Sequence, residues 1–348
     1  MKVILVGPNK PIGGISSHVR SLASGLARLG NEVHILPKID ADNPSTFLYF
    51  LRRLISNQDI THIHGLQSFN PIIVSLLAKV MTSTRTVVTV HGFGGESGWW
   101  SVAPEREAMK QLVSRMDLCI TISKYVEERF RRFTGNRARI VTVYCGVDTS
   151  FFSPSVDGNI IRRKLGLEQK FVVLFVGRLA WNKGLFDLIE AIGRAKHRAK
   201  AVHLIICGKG KLGDAIRRRV NELDLEKYVS MVGLVKEEEL PSYYASSDVV
   251  CFPSTFEPFG LVPLEAMSMA KPVVACRVGG IPESIVHYKT GILVPPHSPD
   301  DIADALVELA FNPSLRKEMG VEGRNIVKEK FSVETMSKSI HDYYCKLE

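Results

Sequence analysis

Short, continuously apolar runs recur along the chain, and between them apolar residues return every three or four positions. The first series is Val3–Val6, Val33–Leu36, Ile60–His64, Thr86–Val90, Leu118–Ile122 and Ile140–Tyr144. The second is Phe171–Val176, Val202–Cys207, Val229–Val232, Val249–Pro253, Pro272–Cys276 and Gly291–Val294. Unbroken apolar character marks strands covered on both faces, as in a parallel sheet, and the stretches between them read as amphipathic helices. Six strands and then six more predict an α/β protein of two doubly wound, Rossmann-like parallel sheets. The pattern breaks near Asp148–Leu167, where Pro154, Gly158 and Gly166 fall. The expected domains are therefore 1–160 and 161–330. Beyond Gly291 the periodicity is helical over Pro299–Phe311, Pro313–Lys330 and Val333–Leu347. Residues 331–348 are expected to form a terminal helix long enough to pack back on the first domain.

Composition narrows the class. With 45% hydrophobic residues in 348, a soluble protein of about two domains is expected. No apolar run reaches the roughly 18 residues that span a bilayer. Met1–Gly7 reads as a first strand, too short for a signal peptide. Six cysteines form no Cys-x-x-Cys pair, and Cys119, Cys207, Cys251 and Cys276 lie in strand-like runs. They read as small buried apolar residues of a cytoplasmic, metal-free protein. The net charge of +9 is uneven, because residues 1–150 hold 18 Lys+Arg against 11 Asp+Glu. The remainder holds 27 against 25, so the basic half is the one expected to meet an anionic partner. That partner is a phosphate-bearing acceptor or an acidic membrane surface. Lys124–Arg139, with six basic residues and Tyr125, Phe130 and Phe133, reads as a basic amphipathic segment or a plain surface helix. Nucleic acid is not expected, since no aromatic platform alternates with the cations.

The strongest chemical signal is Phe256-Glu-Pro-Phe-Gly-Leu-Val-Pro-Leu-Glu-Ala-Met267, which follows the strand Val249–Pro253. Glu257 and Glu265 stand around a strand-to-helix turn and face the crevice where open α/β sheets bind ligands. Ionised carboxylates only accept hydrogen bonds, which suits sugar and ribose hydroxyls. Pro258 is expected to start the helix, and Gly260 to let main-chain amides approach a ligand. Arg178 and Lys183 project from the loop after Phe171–Val176, at the same sheet edge, and two cations there suit a departing diphosphate. Gly13-Gly14 precede a helix over Ile15–Leu29 and offer amides to an anion at its N-terminus. His91 ends a strand and opens Gly92–Gly98, a glycine-rich loop able to fold round a substrate, followed by Trp99-Trp100.

Other patterns are weaker. Gly208-Lys-Gly-Lys-Leu-Gly213 spells the dinucleotide fingerprint, but no acid ends the following strand to hold a ribose. It reads instead as a glycine turn approaching a nucleotide. Asp40-Ala-Asp42 spells the Asp-x-Asp metal signature by its two acids alone, a match common by chance, and Asn43-Pro44 after it reads as loop and helix cap. His62 and His64 alternate on one strand with no other ligand type adjacent in sequence, so zinc is not expected.

Taken in order, these segments resemble the retaining glycosyltransferases of family 4, which adopt the two-domain GT-B fold. The likeness runs through Gly13-Gly14, Gly177-Arg178-Leu179 with Lys183-Gly184, Gly208-x-Gly210 and Leu240-Pro241-x-x-Tyr244. It continues through Asp248, Pro253-Ser254 and the Glu257/Glu265 block to Gly279-Gly280-Ile-Pro-Glu283. The resemblance implies two domains facing across a cleft and transfer of a hexosyl unit from a UDP- or GDP-sugar to a hydroxyl acceptor. It implies that Arg178 and Lys183 grip the diphosphate while Gly13 and Gly14 close from the other domain. Glu257 and the Phe259-Gly260-Leu261 backbone would hold the sugar, Glu265 the ribose, and His91 would sit near the reacting carbon. No metal or cofactor is implied. Sugar, lipid-linked or phosphate-bearing acceptors fit the basic half, in glycolipid, cell-envelope or polysaccharide synthesis at the inner membrane face. Two positions depart from the pattern: Cys145 stands where Asn is usual before Gly-Val-Asp148, and Asn31 where His is common. The alternatives are an epimerase of the same fold and a nicotinamide dehydrogenase built on Gly208–Gly213.

Overall fold

A computed structural model describes residues 1–8, 13–37, 52–53, 58–66, 70–92, 103–135, 137–199 and 201–347. The chain divides into two compact units, Met1–Gly146 with Ser332–Glu348, and Val147–Phe331.

The first unit holds a six-stranded sheet in the order β2-β1-β3-β4-β5-β6. Its strands are β1 (Lys2–Gly7), β2 (Glu32–Pro37), β3 (Ile60–His64), β4 (Arg85–Val90), β5 (Leu118–Thr121) and β6 (Ile140–Thr142). All neighbours pair in parallel, with Val3 beside both Val33 and Ile60. The second unit repeats the architecture in the order β12-β11-β10-β7-β8-β9. These are β7 (Phe171–Val176), β8 (Val202–Cys207), β9 (Val229–Gly233), β10 (Val249–Phe252), β11 (Val273–Cys276) and β12 (Gly291–Val294). Again every pairing is parallel. The central strands β7, β8 and β10 are buried along their whole length, as helices on both faces of a parallel sheet require. All twelve strands lie within two residues of the expected bounds.

Helix ends follow local chemistry. The Ser123 and Ser332 side chains accept from Val126 N and Thr335 N, both at 3.1 Å, and Asn312 accepts from Leu315 N. Pro299 and Pro313 open their helices, whose bounds are the expected ones. The helix Val333–Cys345 belongs to the first unit, where Met336, Ile340 and Tyr344 enter the core of Val3, Leu5, Leu22 and Leu26. It crosses the helix Gly14–Arg28 at Gly25, where a Cβ would lie 1.9 Å from Ser337 Oγ.

The boundary between units falls at Gly146/Val147, earlier than the expected 160. Residues 147–158 pack within the second unit for identifiable reasons. Phe152 is buried with its ring 5.6 Å from Tyr244, its carbonyl accepts from Ser268 Oγ at 2.7 Å, and Gly158 crosses the Ala245 backbone.

Candidate active site

In the second unit the strand order reverses between β7 and β10, so the loops leaving their carboxyl ends lie side by side. Ligands of doubly wound sheets bind at such a reversal. The loop after β7 carries exposed Arg178 and then a single 3₁₀ turn, Trp181–Lys183. Gly184 follows at φ +62°, and a Cβ there would lie 1.9 Å from the Pro253 carbonyl oxygen. Only glycine permits both that left-handed backbone and that approach. Thr255 N donates to Asn182 O at 3.0 Å, a second tie between the two loops. Held this way, Lys183 Nζ lies 2.6 Å from Glu257 Oε2 and 5.2 Å from the centroid of the Phe252 ring. The two side chains are only 16% and 14% exposed, so this ion pair is largely withdrawn from water.

Glu257 is pinned by its own main chain. Its carbonyl accepts from Gly280 N at 3.1 Å, and a Cβ on Gly279, at φ +55°, would lie 1.9 Å from that oxygen. The following helix begins at Leu261 rather than at Pro258, because Gly260 turns the backbone through φ +94°. Glu265 therefore stands little more than one turn into the helix. Its Oε2 accepts from the Tyr244 hydroxyl at 2.5 Å. Burial pushes the Glu265 carboxyl up to about 7, against the pull of that hydrogen bond and with a smaller push from Glu237. Burial, with Glu265 alongside, raises the Tyr244 phenol well above its ordinary range. Phe259 turns its ring into the core, 5.7 Å from Phe331, while Gly260 and Leu261 remain half-buried.

Gly208 and Gly210 have a packing role that the sequence did not reveal. Gly208 adopts φ +152°, and a Cβ there would meet the Gly177 carbonyl oxygen at 1.8 Å. One on Gly210 would meet the Leu179 carbonyl oxygen at 2.2 Å, and Leu179 N donates to Lys209 O at 3.1 Å. The dinucleotide-like spacing thus seats the β8 loop against the backbone carrying Arg178. At the opposite, amino edge of the sheet, Asp248 ties the starts of β7 and β10 by accepting from Val172 N and from Arg162 Nη2, each at 2.7 Å.

In the first unit the order changes at β1 and β3. Gly13, at φ +132°, precedes the helix Gly14–Arg28, and both glycines are exposed, with no acid in the first helical turn. Around the carboxyl ends of β3 and β4 stand four imidazoles. His62 stacks on His64 at 4.3 Å between centroids, and His18 meets His91 edge-on at 4.6 Å. His64 Nδ1 lies 3.3 Å from His91 Nε2. His62 is tied on both sides, with Nδ1 2.5 Å from Tyr344 Oη and Nε2 2.7 Å from Thr89 Oγ1. Burial pushes the His18 imidazolium down to about 4, and burial with His18 nearby takes His62 to about 3. Burial and the adjacent imidazoles hold His64 and His91 well below the ordinary histidine range. All four rings are therefore neutral at physiological pH.

Sequence reading passed over His18 and Cys145 in this cluster, and Tyr244 and Tyr344 as partners of charged or buried groups. Cys145 follows β6, remote in sequence from the histidine strands, yet one ligand atom from each of His18, His91 and Cys145 lies within 4.8 Å of the others. Asp40-Ala-Asp42, Gly94–Gly98 and Trp99-Trp100 lie outside the described residues. Elsewhere in this unit a cavity of about 380 Å³ is lined by Arg106, Lys110, Arg129, Arg132 and Phe133. No helix among the described residues is long and apolar enough to cross a membrane.

Two parallel six-stranded sheets, with cations and carboxylates together at the carboxyl edge of the second, define a glycosyltransferase of the GT-B class. Glycosyltransferase Family 4 matches residues 12–151 and Glycosyl transferases group 1 matches residues 157–326. The chain belongs to this family of hexosyltransferases. It is 33% identical to the D-inositol 3-phosphate glycosyltransferase of Corynebacterium glutamicum, over 78% of this chain and 69% of that one. It is 31% identical to the GDP-mannose-dependent alpha-(1-6)-phosphatidylinositol monomannoside mannosyltransferase of Mycolicibacterium smegmatis, over 79% and 74%. The fold matches Anabaena HepE in complex with UDP at TM-score 0.83 and 22% identity, covering 99% of this chain and all of that one.

Proposed function

We propose that this glycosyltransferase is a retaining enzyme that moves a hexosyl unit from a UDP- or GDP-sugar to a hydroxyl acceptor in glycolipid, cell-envelope or polysaccharide synthesis. The observation that carries the proposal is the Lys183–Glu257 pair at the sheet reversal, with Arg178 on the loop after β7 and Glu265 on the helix after β10. The names of relatives support the donor class, since one is GDP-mannose-dependent and a structural neighbour holds UDP.

Departure of a nucleoside diphosphate leaves negative charge on oxygen while the sugar becomes cation-like. A cation roughly 4 Å from that oxygen contributes about 4 kcal/mol of raw Coulomb energy at an effective dielectric near 20, before desolvation. Lys183 is assigned to that oxygen together with Arg178. Its pairing with Glu257 holds the ammonium in place before donor arrives, so little reorganisation is needed at the moment of reaction. Glu257 and the Phe259–Leu261 main chain are assigned to the transferred sugar, Glu265 to the ribose, and Gly208 and Gly210 to the nucleotide turn. In the first unit His91 is assigned to the sugar's reacting carbon and Gly13-Gly14 to an anionic group. With Nε2 engaged by His64, a neutral, half-buried His91 has Nδ1 left to donate or accept one hydrogen bond, which suits a sugar hydroxyl.

Retention is assigned to reaction on one face, with the leaving phosphate taking the acceptor proton. Double displacement would instead need Glu257 as nucleophile. Trapping a glycosyl group on Glu257, read by mass spectrometry, would overturn the one-face route. Turnover is expected to survive chelation of divalent cations. The acceptor is assigned as lipid-linked or phosphate-bearing, supported by the four cations around the Arg106–Phe133 cavity. Peripheral contact with an anionic membrane is supported by exposed Ile73, Leu77, Val80 and Met81 on the helix Asn70–Met81.

The test is a thermal-shift panel of UDP-, GDP- and ADP-sugars, followed by transfer assays with the donor that stabilises the fold. Proton NMR of the product should show the donor's anomeric configuration kept. Inversion would sink retention. Conversion of donor alone into another sugar nucleotide would replace the transferase with an epimerase.

A further inference from the structure

His18 is 2% exposed, and among the described residues neither of its ring nitrogens has a hydrogen-bond partner. A buried imidazole with two unanswered polar atoms carries a desolvation cost that a ligand would relieve. Two groups able to supply one, an imidazole and a thiol from His91 and Cys145, stand beside it, with all three ligand atoms within 4.8 Å of one another. These groups come from three different places in the first unit: the helix after β1, the end of β4 and the loop after β6. The protein chain thus gathers two nitrogens and one sulfur around a common point. Cys145 is also one of the positions at which this sequence departs from the family pattern it resembles.

We infer that His18, His91 and Cys145 form a binding site for a divalent cation of the zinc type, which blocks the enzyme when occupied. Imidazole and thiolate are the ligands that zinc and its neighbours in the first transition row prefer. Around tetrahedral zinc the ligand atoms sit roughly 3.3–3.5 Å apart, given zinc bonds of about 2.0–2.3 Å. Adjustment by roughly 1 Å closes the triad onto an ion. On binding, the Cys145 S–H bond breaks, the proton leaves to solvent and the sulfur bonds the cation, with no change of oxidation state. His64, 3.3 Å from His91 Nε2, fixes the orientation of the His91 ring. Half-buried His91 gives the ion a way in, while three protein ligands leave a fourth position for water. The block rests on the proposed place of His91 beside the sugar; the site itself does not.

Cobalt(II) added to chelator-treated full-length enzyme is the probe, because a bound thiolate gives it a charge-transfer band in the near ultraviolet. The wild-type protein should show that band at one equivalent, together with intense tetrahedral ligand-field absorption. Cys145→Ser should lose the band and keep basal transfer, and His18→Asn, which removes a ligand itself, should weaken cobalt binding by more than the roughly 10–100-fold typical of losing an outer-shell partner. Cys345→Ser is the control, since Cys345 is exposed with its sulfur 3.7 Å from His341 Nε2. Absence of the band in wild type, or its loss in Cys345→Ser with retention in Cys145→Ser, overturns the site. Zinc should inhibit transfer with the same ordering of variants. Normal transfer by cobalt-loaded enzyme would leave the site standing and remove His91 from the reaction.

Discussion

At the carboxyl edge of the second sheet, charged groups stand on loops that are pressed together backbone to backbone. Gly184 lies on Pro253, Gly208 on Gly177, Gly210 on Leu179 and Gly279 on Glu257. At the corresponding edge of the first sheet, the prominent groups are neutral rings packed on one another, from His18 to His91. Two six-stranded parallel sheets therefore support two different ways of holding polar chemistry. In one, absent side chains let the main chain fix a salt bridge; in the other, burial strips imidazoles of charge. Main-chain locking resists substitution of the glycines but tolerates a change at the charged tip. Ring packing spreads its dependence over every member of the cluster.

The sharpest break of this contrast is Lys183→Ala. It removes the cation and leaves the glycine contacts alone, so the chain should fold and lose turnover by roughly 10²–10³. Steady-state kinetics beside a thermal melt separates the two. Gly208→Ala should act on the fold itself, costing about 2–3 kcal/mol of stability through its clash with the Gly177 carbonyl. A denaturant titration with an unchanged midpoint would show that the loops are not locked as described.

Smaller effects sharpen the comparison. Tyr344→Phe should cost about 1–2 kcal/mol, because it leaves the buried His62 Nδ1 without its 2.5 Å partner. Equal loss of stability from Tyr344→Phe and Tyr343→Phe would argue against that specific bond. Finally, Glu265 carries its proton at low pH because burial raises it to about 7, and only the ionised form accepts freely from ribose hydroxyls. Binding is then coupled to proton release, so nucleoside diphosphate affinity should rise about tenfold from roughly pH 6 to pH 8. Glu265→Gln should flatten that profile, which calorimetry at several pH values will read.

Much of the architecture was legible because continuous apolar runs have few interpretations when helices separate them. Phe171–Val176, Val202–Cys207 and Gly291–Val294 begin and end where periodicity placed them, and Pro299 and Pro313 announced their helices. The proximity of Lys183 to Glu257 was legible as a shared sheet edge, but not as a bond, since it depends on β7 and β10 being neighbours. What stayed hidden came from contacts remote in sequence. The demand for glycine at Gly208 and Gly210 is set by Gly177 and Leu179, and Tyr344 reaches His62 across 282 positions. Cys145 looked like no more than a departure from the family pattern, because nothing in one dimension brings it beside His18. The early boundary at Gly146 was missed for a similar reason, since Phe152 finds its cover near Tyr244.

The terminal segment 333–347 supplies Met336, Ile340, Tyr344 and Leu347 to a core otherwise built from residues before Val147. On the ribosome, the second unit is contiguous and complete before that segment emerges. The half that is translated first must therefore wait, with Leu22 and Leu26 uncovered, until the half translated second has been made. A nascent chain stalled shortly before Ser332 would be a folded carboxyl half trailing an unfinished amino half, and a natural client for chaperones.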